Sequence, residues 1–141
     1  MRRTPAILRK LAAILVLVAA APAAQAGAVV VGANSTLPAM NADEARRIFV
    51  GIQRNVNGQT VAVLFQQPGP AREEFDSKVL GMTGADLSAY LAAMIFTGRA
   101  VAPTIVPDDA AVKRSVIASP DTVGYVSDAA VDATVRVLLR Y

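Results

Sequence analysis

The chain is 141 residues long, with 14 Lys+Arg against 11 Asp+Glu and a formal charge of +3, for a sequence pI near 9.7. That length fits one domain. Cys and His are both absent, which excludes disulfides, His- or Cys-ligated zinc, Cys nucleophiles and Ser-His-Asp triads, and leaves carboxylates, Lys and Tyr to move protons.

The charge is not evenly spread. Residues 1–26 hold Arg2, Arg3, Arg9 and Lys10 and no acid. Residues 27–141 then set ten bases against 11 acids, so the basic pI does not describe a nucleic-acid surface. Aromatics at 5% and the lack of Trp also leave little on which bases could stack. After the four positive charges comes an apolar run from Leu11 to Ala21, then Pro22, then Ala24-Gln25-Ala26. This is the layout of a secretory signal with a small-x-small cleavage site. The run of 11 residues is short of the ~20 that span a bilayer. Thr4-Pro5 departs from a twin-arginine pattern, and no Cys is available for lipid attachment. The expectation is a cleaved signal over 1–26 and one domain over 27–141, periplasmic or secreted, without a stable membrane anchor.

In the second part, Ala28–Gly32 is a β-branched run that reads as a buried strand. Asn41 and Glu44 form a capping-box pattern, and Ala45, Ile48 and Phe49 give the next helix one apolar face up to Gly51. Asn57-Gly58 marks a turn, and Thr60–Phe65 reads as a strand covered on both faces. Pro68-Gly69-Pro70 leads into a helix to Leu80, with Ala71, Phe75 and Val79 inward and Arg72, Glu73, Asp76 and Lys78 solvated. Leu87, Tyr90, Leu91, Met94 and Ile95 predict a third helix with a buried stripe. Pro107-Asp108-Asp109 starts a fourth, with Val112 and Val116 inward. Val123–Val126 and Thr134–Leu139 read as closing strands. The alternation of strands and helices implies an α/β sheet flanked by helices.

Candidate contacts lie in loops. Ser35-Thr36 comes after the first strand, where two hydroxyls bind an anion or a sugar, or cap a turn. Gln66–Arg72 leads from strand to helix, where Gly69, the helix amino terminus and the Arg72 guanidinium suit an anion. Against this, Pro70 has no N–H and Glu73-Glu74 already answer the helix dipole. Arg99 comes after the third helix, as a ligand contact or a solvated helix stop. Tyr125 stands at a pocket mouth or in the core. Adjacent Glu73 and Glu74 point in different directions and make no carboxylate pair. No nucleophile–base pair or glycine-rich phosphate loop is visible. The expectation is therefore no enzyme, with no catalytic residue, metal ligand or cofactor.

The order of these segments resembles a known family. Glu44-Ala45-Arg46-Arg47-Ile48-Phe49-Val50-Gly51 is similar to the E-x-R-x-I-F-x-G helix end of phosphate-type periplasmic solute-binding proteins of ABC transporters. Asn57-Gly58 and the strand to Phe65 resemble the turn and strand that come next in that family. Arg72-Glu73-Glu74-Phe75 resembles the helix after the family's Ser-Gly-Thr phosphate loop, Ile95–Arg99 a segment of its short members, and Ser119–Val126 its T-P-G-A-I-G-Y-V strand. Pro68-Gly69-Pro70 replaces Ser-Gly-Thr, which removes both anion-binding hydroxyls, and the family's Trp after the first helix is absent. The resemblance implies a single periplasmic-binding-protein-like lobe with a mixed, mostly parallel sheet. It implies a non-catalytic solute-binding protein for phosphate or a similar small oxyanion, contacted by Ser35, Thr36, Gly69, Arg72, Arg99 and Tyr125. Its partner would be an ABC transporter membrane component or an envelope protein, with no nucleic acid. The other reading is a protein–protein interaction module that reuses the fold and binds no solute.

Overall fold

The alternation of side chains along β1 (Gly27–Gly32) builds both halves of the core. Ala28 and Val30 point to one face of the sheet, Val29 and Val31 to the other, and all four are buried. The computed structural model describes residues 26–141. The signal reading of residues 1–26 lies outside the described residues except for Ala26.

The chain continues through α1 (Ala42–Phe49), the short strands β2 (Asn55–Val56) and β3 (Gln59–Thr60), and β4 (Ala62–Gln66). Then come α2 (Pro70–Phe75), which runs into a π-helical turn (Asp76–Leu80), and α3 (Gly84–Phe96). It ends with β5 (Thr104–Val106), α4 (Asp109–Ala118), β6 (Thr122–Ser127), a 3₁₀ turn (Asp128–Ala130) and β7 (Val135–Arg140). Five strands form one sheet in the order β5-β4-β6-β1-β7, and β2 and β3 form a separate hairpin. β4 pairs parallel with β5 and β6, whereas β1 pairs antiparallel with β6 and β7. Four strands thus point one way and β1 runs against them, the mixed and mostly parallel sheet that the sequence implied.

Most predicted elements form for the predicted reasons. Asn41 Oδ1 accepts from the Glu44 N–H at 2.9 Å, and the Glu44 carboxylate accepts from the Asn41 N–H at 2.9 Å, a complete capping box. Ala45, Ile48 and Phe49 are buried. Asn57 and Gly58 both take positive φ (50° and 82°), which a two-residue hairpin turn requires. α4 packs Val112 and Val116 on β1 and β6. Gly124 allows this close approach: a Cβ there would sit 2.5 Å from Val112 Cγ1.

Three expectations are corrected. β5 is a strand that the sequence did not reveal, because three residues between Pro103 and Pro107 are too few to show a period. Asp76 is only 5% exposed, not solvated. The π winding turns Asp76 and Leu80 inward beside Phe75 and Val79. On α3 only Leu87 is buried; Tyr90, Leu91 and Met94 are half-buried and Ile95 is 37% exposed. This helix is apolar on more sides than one packing face can cover.

Five aromatic rings fill the core beneath α1 and α2. Phe75 stacks on Tyr125 with centroids 3.9 Å apart and planes 5° apart. Phe49 and Phe65 meet that pair edge-on or tilted, and Tyr141 meets Phe75 edge-on.

Candidate functional site

Parallel β4, β5 and β6 bring their carboxyl ends together, which is where open α/β sheets hold ligands. Gln66 closes β4 there. Its backbone N–H donates to Tyr125 Oη at 2.9 Å, and its Nε2 donates to the Tyr125 carbonyl at 2.9 Å and to Asp109 Oδ1 at 2.7 Å. Asp109 also accepts from the Ser127 N–H at 3.2 Å and from the Ser127 hydroxyl. Asp108, its neighbour, caps α4 by accepting from the Ala111 N–H at 2.9 Å. Gln66 and Asp109 together tie β4, β6 and α4 into one polar cluster.

Arg72 is the cation of this end. Its Nε donates to both Asp76 carboxylate oxygens at 3.0 and 2.8 Å, and its Nη1 donates to the Gln66 carbonyl at 2.9 Å. Its guanidinium carbon stands 4.7 Å from the centre of the Phe65 ring. Nη2 carries no hydrogen bond among the described residues. Burial raises the Asp76 pKa above 3.8, and the charge and hydrogen bonds of Arg72 pull against that rise. An open groove of about 570 Å³ lies between α2 and α3, lined by Pro68, Arg72, Glu73, Asp76, Ser77 and Thr83 among others. It offers hydroxyls and a partly engaged guanidinium beside two carboxylates.

The candidate contacts named from sequence do not form one site. β1 runs against its neighbours, so its carboxyl end lies at their amino ends. Ser35 and Thr36 therefore sit at the opposite end of the sheet from Arg72. The Ser35 hydroxyl accepts from the Leu37 N–H at 3.3 Å, and Thr36 bonds the Gln59 side chain. Both hydroxyls stabilise a loop that the Arg136 guanidinium also clasps at the Ser35 and Leu37 carbonyls.

Gly69 does lie in the loop before Arg72. Its backbone is extended, and a Cβ there would touch nothing closer than 4.0 Å, so no close approach demands glycine. Arg99 is exposed past the far end of α3, in a separate groove of about 460 Å³ with Ile52, Tyr90 and Met94. Tyr125 has no exposed surface, so of its two readings from sequence the structure takes the core one. Burial pushes its phenol well above the ordinary range. Gln66, Asp76, Asp109 and Ser127 were missed. Only Asp76 carried a signal, its i,i+4 spacing from Arg72.

No family model matches the chain, and no curated protein matches it. Solved structures do match. An ABC-type phosphate transport receptor from Vibrio cholerae aligns with a TM-score of 0.64 at 22% identity over 81% of this chain and 45% of its own. The fold is that of the phosphate-type substrate-binding proteins. A putative phosphate ABC transporter substrate-binding protein from Clostridium perfringens, solved with bound phosphate, aligns at 0.63 and 16% identity over 81% of this chain and 44% of its own. PstS from Borrelia burgdorferi aligns at 0.60 and 10% identity, over 81% and 46%. The chain thus spans under half the length of each of these proteins.

Proposed function

We propose that the chain is a secreted, non-catalytic solute-binding protein. It takes a small oxyanion, phosphate first, in the groove between α2 and α3, and works with an ABC-type transporter. The likeness to phosphate receptors supports the class of ligand. The observation that carries the reading is the placement of Arg72 at the carboxyl end of β4, with Nη2 uncommitted in a groove lined by the hydroxyls of Ser77, Thr83 and Ser88.

The carboxylates of Glu73 and Asp76 shape the preference. They repel a fully ionised anion but accept the proton of hydrogen phosphate, so phosphate binds in preference to sulfate. Calorimetry on the purified protein tests this. Heat with millimolar phosphate, little with sulfate, and at least a tenfold weaker phosphate affinity in Arg72→Ala are expected. Equal binding of both anions would remove the carboxylates from the account. No heat with either would leave the second reading, a module that docks on an envelope protein. The exposed apolar residues Ile52, Phe96 and Val101 favour that reading.

A further inference from the structure

Where β4 meets β5, the ladder is left open at one rung. In a parallel pair, alternate residues of a strand turn both backbone groups to the same neighbour. Ala62 turns to the β6 side, since its N–H donates to the Asp121 carbonyl at 3.0 Å. Gln67, just past β4, turns to β5, since its N–H donates to the Val106 carbonyl at 2.9 Å. Val63 and Phe65 share that side with Gln67. Continued by one rung, the ladder would take the Val63 N–H to the Ala102 carbonyl. Pairing begins instead with Leu64 opposite Thr104, and among the described residues the Val63 N–H meets no acceptor. Such a donor costs free energy until an acceptor reaches it.

A cavity of about 280 Å³ lies at this rung, bounded by Val63 on one side and Ala102 and Pro103 on the other. The segment that leads into β5 has anchors of its own. The N–H groups of Arg99 and Ala100 donate to the Met94 carbonyl at 2.9 and 3.0 Å. Ala100 packs on Gly51, whose φ is +85° and where a Cβ would sit 2.5 Å from the Ala100 Cβ. Ile48, Val61, Val101 and Pro103 give the cavity apolar walls, and Thr104 adds a hydroxyl. Arg54 also lines it, is exposed, and takes part in no ion pair among the described residues. No Asp or Glu lines it, in contrast to the Arg72 groove with Glu73 and Asp76.

We propose that this cavity binds a small carboxylate with an apolar body. One carboxylate oxygen accepts from the Val63 N–H, the other faces the Arg54 guanidinium, and the hydrocarbon part lies against Val61, Val101 and Pro103. Charge and walls both select this chemistry. A cation is repelled by Arg54, and a phosphate or sulfate would give up its hydration to apolar walls with too few donors to replace it. A carboxylate has two oxygens for the two donors and leaves the rest of the ligand apolar. The site stands at the amino end of β4, whereas Arg72 stands beyond the carboxyl end, so it is separate from the proposed oxyanion groove.

Benzoate is the probe. Amide chemical shifts of the isotope-labelled protein, followed to about 20 mM benzoate, should move saturably at Val63 and Thr104. Arg54→Gln, which changes an exposed side chain and should leave the circular dichroism as in the parent, should weaken that binding at least fivefold. Arg72→Ala should leave it unchanged, so failure here and failure of the oxyanion reading are told apart by which arginine and which anion respond. Benzyl alcohol, the same ring without the charge, should leave the Val63 amide in place. No saturable shift with benzoate, an equal response to benzyl alcohol, or binding indifferent to Arg54→Gln would overturn the proposal.

Discussion

Three of the four phenylalanines, Phe49, Phe65 and Phe75, share one cluster with Tyr125 and Tyr141, while Phe96 is 93% exposed. The two helices involved look alike by apolar spacing alone, since α1 and α3 both carry a stripe. They differ on the opposite side. α1 turns Asp43, Glu44, Arg46 and Arg47 to solvent, and its stripe is fully buried. α3 turns Ala85, Ala89, Ala92 and Phe96 to solvent, and its stripe is only half-buried. A polar outer face leaves a helix one way to pack, whereas an apolar outer face leaves a surface to be covered by something else.

The largest expected effect separates the two phenylalanine environments. Phe75→Ala removes a ring in contact with Phe49, Phe65, Tyr125 and Tyr141. It should cost about 3–5 kcal/mol of unfolding free energy. Phe96→Ala should change the stability of the dilute protein by no more than about 0.5 kcal/mol. Urea titration of both variants measures the contrast. Similar losses would show that α3 packs more tightly on the core than the exposure of its residues indicates.

Next comes the Arg72–Asp76 pair, which joins the core to the groove. Both side chains are mostly buried. Arg72→Ala leaves a buried carboxylate unpaired and should cost about 3 kcal/mol at neutral pH. Asp76 has a folded pKa raised above 3.8 by burial. The folded state therefore holds that proton more firmly than the unfolded state. The resulting stability is present below pH 3.8 and is lost as pH rises through the folded pKa. Arg72→Ala removes the opposing charge, raises that pKa further and moves the loss to higher pH. Asp76→Asn should flatten the dependence in this window. Denaturant midpoints measured from pH 3 upward would show an unaltered slope in Asp76→Asn if another group were responsible.

The helices and most strands were legible because local physics decides them. Asn41 and Glu44 cap α1 whatever surrounds it, and Asn57-Gly58 turns the hairpin by its own backbone preference. The candidate site was less legible because it depends on strand direction. Whether Ser35 and Arg72 share an end of the sheet turns on β1 running antiparallel, and nothing in Val29-Val30-Val31 encodes direction. The network of Gln66, Asp109 and Ser127 joins residues 18 and 43 positions apart, separations that only the sheet order brings together. The choice between the two readings of Tyr125 likewise waits on the sheet order. Its position on a central strand, stacked under Phe75, fixes its burial.

The smallest expected effect lies on the other side of the sheet and runs with the opposite sign. Asp132 is exposed, and it accepts from the Lys113 ammonium and from the Thr134 hydroxyl and N–H. These bonds hold its carboxyl down at about 2, below the ordinary 3.8. A depressed pKa makes the folded state the weaker proton binder. Its stability is present above pH 3.8 and drains as pH falls toward about 2. Asp76 and Asp132 thus push the stability curve in opposite directions on either side of pH 3.8. Asp132→Asn should flatten only the acid limb, and added salt should shrink the same limb in the parent because the Lys113 pair faces water. An acid limb that Asp132→Asn leaves unchanged would mean that this exposed pair is decorative and that acid sensitivity resides in the buried carboxylates.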